Sequence, residues 1–194
     1  MSHERRFDPK SLQKLEAPER GQQFPVDAIL DAAGVCGGLN VADIGAGSGY
    51  FTLPIARRVA PGKVYAVDLS TELLDVIRGK LAVDGAPENV QLVVGEDSAT
   101  GVAEGACDLI FLSAVWHEID NHADALREFR RIATAKARLV IVDWCPGGIH
   151  PPGPPLEHRI ARAEVERALE NGGWSVRKSE LVTAWTYIVV GQRS

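Results

Sequence analysis

Val41-Ala42-Asp43-Ile44-Gly45-Ala46-Gly47-Ser48-Gly49-Tyr50 is the stretch that decides the fold. An apolar run ends in an acid, Asp43, and glycines follow at alternate positions, Gly45, Gly47 and Gly49. Glycine has no Cβ and tolerates positive φ, so the backbone can turn tightly and approach a ligand closely. The next segment, Tyr50 to Val59, has helical character, so the turn opens into a helix N-terminus. Strand, glycine turn and helix together describe a nucleoside-binding turn. The dinucleotide pattern G-x-G-x-x-G would need its third glycine at position 50, where Tyr50 stands.

Outward from that turn, residues 40–44, 63–68, 90–94, 107–112 and 138–143 read as strands with apolar cores. Helical spacing fills the intervals. Val26, Ile29 and Leu30 follow Pro25 and stop at Gly34; Leu73, Leu74, Ile77 and Leu81 follow Ser70, a good N-cap. Ala123, Leu126, Phe129 and Ile132 mark a third apolar stripe. Buried strands alternating with helices predict a parallel sheet covered on both faces, with right-handed crossovers. Residues 147–155, with Gly147, Gly148, Gly153, Pro151, Pro152, Pro154 and Pro155, read as a loop. A helix over 159–170 stops at Gly172 and Gly173. Residues 175–182 and 185–191 are β-like, and the short Thr183-Ala184 link predicts an antiparallel hairpin. The expected class is α/β: Rossmann-like, doubly wound, with a mostly parallel seven-stranded sheet and a C-terminal antiparallel hairpin. Residues 1–25 are polar, with Leu12 and Leu15 three apart, and read as a lid-like segment. Residues 26–194 read as a single domain.

The 194 residues suffice for a substantial core, and 45% hydrophobic with 24% charged residues is a globular balance. No apolar run nears the ~20 residues a membrane span needs, so no membrane partner is expected. Met1 to Lys10 lacks the apolar core of a secretory signal. Cys36, Cys107 and Cys145 stand far apart without a C-x-x-C, which argues for a reduced, cytoplasmic protein. A net charge of −5 without a Lys/Arg block disfavours nucleic acid as partner.

Ligands in such sheets bind at the carboxyl ends of the strands. Four candidates fall there: Asp43 with its turn, Asp68, Asp97 and Ser113. Asp68 lies about 20 residues beyond the glycines, where an acid accepts from ribose hydroxyls. With these acids in place, the chain resembles the class I S-adenosylmethionine-dependent methyltransferases from about residue 24 to the end. The resemblance implies that Asp43, Gly45, Ala46 and Gly47 cradle the methionine portion of S-adenosyl-L-methionine, with Gly49 also among the cofactor-binding residues. It implies that Asp68 holds the ribose, Leu69 packs on adenine, Asp97 with Ser98 meets the adenine amine, and Ser113 lines the cofactor. A tighter resemblance, to a small-molecule branch of the methyltransferase type 11 group, rests on three stretches. They are Phe7-Asp8-Pro9…Leu15…Pro18-Glu19-Arg20, His117-Glu118-Ile119-Asp120, and Gly153-Pro154-Pro155-Leu156-Glu157-His158-Arg159-Ile160. The usual Lys-Pro-Gly-Gly turn before strand five is replaced by Ala133-Thr134-Ala135-Lys136-Ala137, which leaves that loop's geometry open.

The implied function is methyl transfer from S-adenosylmethionine to a nucleophilic atom of a small molecule. The alternatives are a nucleotide-dependent oxidoreductase and a non-catalytic S-adenosylmethionine-binding regulatory module. His117, just past strand four, is the candidate general base. Glu118 and Asp120 are placed to orient it or, for Asp120, to cap the next helix. Asp143, Trp144 and Tyr187 are candidates for the acceptor pocket; Arg20 and Arg159 for pairing with acids or an anionic acceptor. His122 and His150 add to a loose His/Glu/Asp group without metal-ligand spacing, so no metal is expected.

Overall fold

Seven strands pair into one sheet in a computed structural model that describes residues 13, 16–147 and 152–194. They are β1 (Val41–Ile44), β2 (Val64–Asp68), β3 (Val90–Val94), β4 (Cys107–Ser113), β5 (Ala133–Trp144), β6 (Trp174–Leu181) and β7 (Thr186–Arg193). The order is β3-β2-β1-β4-β5-β7-β6. The first five are mutually parallel, and β7 runs antiparallel to both β5 and β6. The expected terminal hairpin is therefore present, with its second strand inserted beside β5.

The described helices are α1 (Arg20–Gln23), α2 (Val26–Ala32), α3 (Thr52–Val59), α4 (Thr71–Leu81), α5 (His122–Ile132) and α6 (Arg162–Asn171). They cover both faces of the sheet. Successive residues of β4 point to opposite sides, so Ile110 and Leu112 join Phe129 and Ile132 of α5. Leu109 and Phe111 join Leu30 of α2 and Ile55 of α3. Each layer buries its apolar stripe against the sheet, which supplies the hydrophobic stabilisation. The strand order turns back at β1 and β4, so a crevice opens outside their carboxyl ends.

Local sequence explains most boundaries. Ser70 caps α4 by accepting from the Leu73 N–H, and Gly34 leaves α2 at φ +67°. Four expectations need correction. The cap of α5 is Asn121, which accepts from the Ala123 and Asp124 N–H groups, and not Asp120. Ala125, not Ala123, faces the core on α5. Residues 133–137 are no loop but the start of β5, joined to β4 through a register shift between Cys107 and Leu109. Gln192 Nε2 donates to the Lys136 and Ala137 carbonyls there, and Arg193 donates to the Ala133 carbonyl. Finally, α6 begins at Arg162, after a 3₁₀ turn over Leu156–His158. Most of the lid-like segment, including Leu12 and Leu15, lies outside the described residues, as do Gly148, His150 and Pro151.

Candidate active site

A cavity of about 1050 Å³ lies over the carboxyl ends of β1, β2, β4 and β5. Its floor on one side is the glycine turn. Gly45, Gly47 and Gly49 have φ of +68°, +56° and +84°, a region costly for residues with a Cβ. The Gly45 and Ala46 N–H groups donate to the Val67 carbonyl at 2.9 and 3.0 Å, which ties the turn to β2. A Cβ on Gly45 would come within 2.4 Å of Val115 Cγ2. Gly45, Ala46 and Gly47 line the cavity, whereas Gly49 does not. A Cβ on Gly49 would stand 2.9 Å from Leu53 Cδ1 and 3.1 Å from Ile77 Cγ1, so this glycine seats α3 against α4.

Asp43 is buried and accepts from Thr52 Oγ1 at 2.6 Å. Burial pushes its carboxyl up to about 7, against the Thr52 hydrogen bond and with help from the charge on Asp68. Asp68 ends β2 and spreads its two oxygens. Oδ2 accepts from Gly47 N–H at 2.8 Å and Oδ1 from Ser70 N–H at 2.9 Å. Burial raises its pKa too, opposed by those backbone donors. Leu69 beside it is an exposed apolar side chain at the cavity wall, 52% accessible. Asp97 lines the cavity; Ser98 is exposed and does not.

Four buried side-chain polar atoms among the described residues lack a hydrogen-bond partner, and three belong to cavity residues: Arg20 Nε, Ser48 Oγ and Ser113 Oγ. Polar atoms buried without partners are costly, so their gathering at one cavity points to a polar ligand there. Ala114, which also lines the cavity, has φ +56°, the only positive φ outside glycine among the described residues. Backbone strain of this kind clusters at functional sites.

The opposite wall carries His117 and Asp143. His117 is buried in the 3₁₀ turn Trp116–Glu118. Its backbone N–H donates to Asp143 Oδ2 at 3.0 Å, and its Nδ1 lies 2.8 Å from Asp143 Oδ1. Nε2 lies 3.8 Å from Glu118 Oε1. Burial alone would lower the imidazole pKa, but the charge and hydrogen bond of Asp143, with Glu118, outweigh it and raise it. Asp143 also accepts from the Trp144 N–H at 2.8 Å, so it orients the histidine rather than lining the pocket. Trp144 does line the cavity. Tyr187 does not: it is buried, and its hydroxyl donates to the Ile160 carbonyl at 2.9 Å.

Arg159 is neither paired with an acid nor open to an anion. Its Nε, Nη1 and Nη2 donate to the carbonyls of Pro152, Pro154 and Cys145, and its guanidinium lies 5.4 Å from the Trp144 ring centroid. It pins the proline-rich loop to the end of β5. Gly153 sits flat on Trp144, since a Cβ there would fall 2.7 Å from the indole. Among the described residues no group of His, Cys, Asp and Glu could hold a metal ion.

One residue of this site, Thr52, and one pairing are not legible in the sequence. By sequence Thr52 is only part of the helix after the turn. The pairing of Asp143 with His117 needed knowledge that β4 and β5 are neighbours, with Ser113 opposite Val142.

The family described as methyltransferase domain matches residues 42–141, just over half of the chain. The ubiquinone/menaquinone biosynthesis C-methyltransferase UbiE of Hahella chejuensis is 28% identical over 116 residues, 59% of this chain and 47% of that one. The chain thus spans about half the length of the curated relatives it matches. Among solved structures, a SAM dependent methyltransferase from Aquifex aeolicus superposes with a TM-score of 0.91 at 29% identity. That match covers 97% of this chain and 100% of the other. A putative type 11 methyltransferase from Sulfolobus solfataricus shares the fold, with a TM-score of 0.71 at 20% identity over 88% and 92% of the two chains. The glycine turn without a third Rossmann glycine, the seven-stranded sheet with its antiparallel end, and these likenesses agree: the chain belongs to the methyltransferase domain family, whose enzymes use S-adenosylmethionine.

Proposed function

We propose that the acceptor is a small phenolic or hydroquinone-type molecule, and that His117 acts as general base toward it. The observation that carries this reading is that one cavity joins the glycine turn to His117 beside an apolar wall of Val115, Ile119, Trp144, Pro154 and Pro155. The UbiE relatives, named for quinone biosynthesis, support an acceptor of that class.

The cavity's residues fit S-adenosylmethionine. Gly45, Ala46 and Gly47 line the cavity on one side, and Ser48 and Ser113 hold hydroxyls without protein partners. The acids Asp43 and Asp68 complement a cationic ligand. In this reading Asp43, Gly45, Ala46 and Gly47 cradle the methionine portion, and Asp68 uses its remaining lone pairs for the ribose hydroxyls. Leu69 packs on the adenine, Asp97 meets its amine, and Ser113 lines the sulfur side. The cofactor supplies an electrophilic methyl group on a sulfonium. The protein's main task is then to hold the acceptor in line with it, and proximity can contribute about 7–11 kcal/mol. Asp143 takes the Nδ1 proton of His117 in a hydrogen bond, so Nε2 is the nitrogen that accepts a proton from the acceptor hydroxyl. Removing that proton makes the oxygen, or the ring carbon conjugated with it, nucleophilic. Glu118 then faces the imidazolium that forms.

The reading includes a cytoplasmic setting, supported by the free thiols of Cys36, Cys107 and Cys145. No described helix is long and apolar enough to cross a membrane. The test is calorimetry with S-adenosylhomocysteine and with NAD, followed by mass spectrometry of phenols and hydroquinones incubated with S-adenosylmethionine. Binding of S-adenosylhomocysteine without methylation of any of them would sink the acceptor class.

A further inference from the structure

The stretch Gly153 to Ile160 brings a second histidine to the cavity, His158. It closes the 3₁₀ turn Leu156–His158, and its backbone N–H donates to the Pro155 carbonyl at 3.0 Å. The residue after it fastens the turn. Arg159 Nε and Nη2 donate to the Pro154 carbonyl, Nη1 to that of Cys145, and the Arg159 backbone N–H to that of Leu156. Gly153 lies on the Trp144 ring, and the Arg159 guanidinium stands over the same ring. A frame fixed in this way presents a side chain from one place. The His158 ring is half-buried and makes no hydrogen bond, ion pair or ring contact with a described residue. Both its nitrogens are uncommitted, whereas His117 gives Nδ1 to Asp143.

The two histidines are held at the same end of β5. His117 hangs from Asp143, and the loop of His158 rests on Trp144, the next residue. Besides burial and the carboxylates, the charge of Arg159 acts on the His117 imidazole, so the neighbour of His158 stands within electrostatic reach of it. Trp144, Pro154 and Pro155 line the cavity with both histidines, an apolar surface suited to a flat ring.

We propose that His158 determines acceptor specificity: it hydrogen-bonds a second oxygen of the acceptor ring while His117 attends to the first. The inference rests on the reading of the acceptor as a phenol or hydroquinone, and narrows it to rings that carry two oxygens. A neutral imidazole offers one donor and one acceptor. It can take a hydrogen bond from a hydroxyl or give one to a carbonyl oxygen, so it serves the second oxygen in either state. His117 cannot fill both roles, because Nε2 is its one nitrogen free of Asp143. A ring without the second oxygen leaves the half-buried imidazole without that partner. Loss of such a partner is how polar pockets reject analogues.

The test is steady-state kinetics under nitrogen with S-adenosylmethionine and two acceptors, naphthohydroquinone with two hydroxyls and naphthol with one. The proteins are the wild type, His158→Leu and His158→Gln. The wild type should prefer naphthohydroquinone at least tenfold in kcat/KM, with the difference carried by KM. His158→Leu should lose most of that preference by losing the hydroquinone alone. His158→Gln, which keeps a donor and an acceptor, should recover part of it. S-adenosylhomocysteine affinity, read by calorimetry, should be the same in all three proteins. A side chain that only supports the loop would lower both acceptors together, and that result overturns the proposal. So does a preference that survives in His158→Leu, or a wild type that shows none. If the wild type methylates neither ring, the acceptor class itself fails and the role of His158 falls with it. Methylation of both rings with discrimination untouched by His158 overturns the role of His158 alone. Should His158→Leu not fold, His158→Gln and the wild-type comparison decide.

Discussion

The two walls of the cavity are built differently. On the glycine side, contacts are made largely with backbone: Gly47 N–H to Asp68, Ser70 N–H to Asp68, and the Gly45 and Ala46 N–H groups to Val67. On the His117 side, contacts are made by side chains and a loop. His117 reaches Asp143, Arg159 reaches Cys145, and Gly153 lies on Trp144. Backbone recognition suits a ligand that every such enzyme shares, because it depends on the path of the chain. Side chains and loops suit the partner that differs, because they can change without disturbing the sheet.

The glycine wall should therefore fail all at once. Gly47→Val puts a branched Cβ at φ +56° on the residue whose N–H anchors Asp68. S-adenosylhomocysteine binding should vanish in calorimetry while circular dichroism still reports a folded sheet. Normal binding would mean that the turn is structural only.

The His117 wall should fail by degrees. His117→Ala should lower kcat by roughly 10²–10⁴-fold with little change in S-adenosylmethionine affinity. Asp143→Asn, which disturbs tautomer and orientation, should cost about 10–100-fold, as removal of an orienting partner commonly does. The raised pKa of His117 gives the direction of the pH profile. The base form appears only as pH rises past the ordinary imidazole value near ~6.5, so the wild-type rate should still be climbing above it. Full activity of His117→Ala with a flat profile would leave catalysis to positioning alone.

That same division set what the sequence could tell. The strands, the helix after Ser70 and the terminal hairpin follow from local apolar spacing, capping and turn chemistry, so they were legible. The glycine turn and Asp68 were legible because their spacing along the chain is the spacing the ligand needs. Residues 133–137 were misread because a strand start without glycine or proline looks like any polar link. Its pairing with the end of β7, through Gln192 and Arg193, is a tertiary fact. Gly49 was assigned to the ligand because the motif is regular, yet its Cβ space is taken by Leu53 and Ile77. Arg159 shows the limit most clearly. Its donors are consumed by carbonyls of a loop whose path no local pattern specifies.

Asp68 tests whether the glycine wall is one unit. Its carboxylate serves both the turn and, in the proposed reading, the ribose. Asp68→Ala removes both and should weaken S-adenosylhomocysteine at least tenfold, in line with about 1.5–3 kcal/mol for each charge-assisted hydrogen bond. Asp68→Asn keeps one acceptor and should fall between the two proteins. If Asn and Ala are equally weak, the charge matters more than the acceptor count. If neither weakens binding, the ribose assignment is wrong.

The smallest effect expected, and the finest probe of the glycine wall, is the titration of Asp43. Its folded pKa is raised from 3.8 to about 7, chiefly by burial. Between those values the folded chain holds a proton that the unfolded chain has released. Stability from this group is therefore fully present below 3.8 and is lost as pH rises through about 7. A cationic ligand reverses the preference, because it favours the ionised carboxylate. S-adenosylmethionine affinity should then rise as pH climbs toward about 7 and level off above it, by up to about tenfold for one unit of pKa change on binding. The melting temperature of the free protein should fall over the same interval. Both dependences should flatten in Asp43→Asn, which keeps an acceptor for Thr52 Oγ1 but cannot ionise. Asp68 and His117 titrate in the same cavity, so the comparison with Asp43→Asn, and not the wild-type curve by itself, carries the assignment. Identical curves for the two proteins would remove Asp43 from the electrostatics of binding and leave the backbone of the turn to do that work.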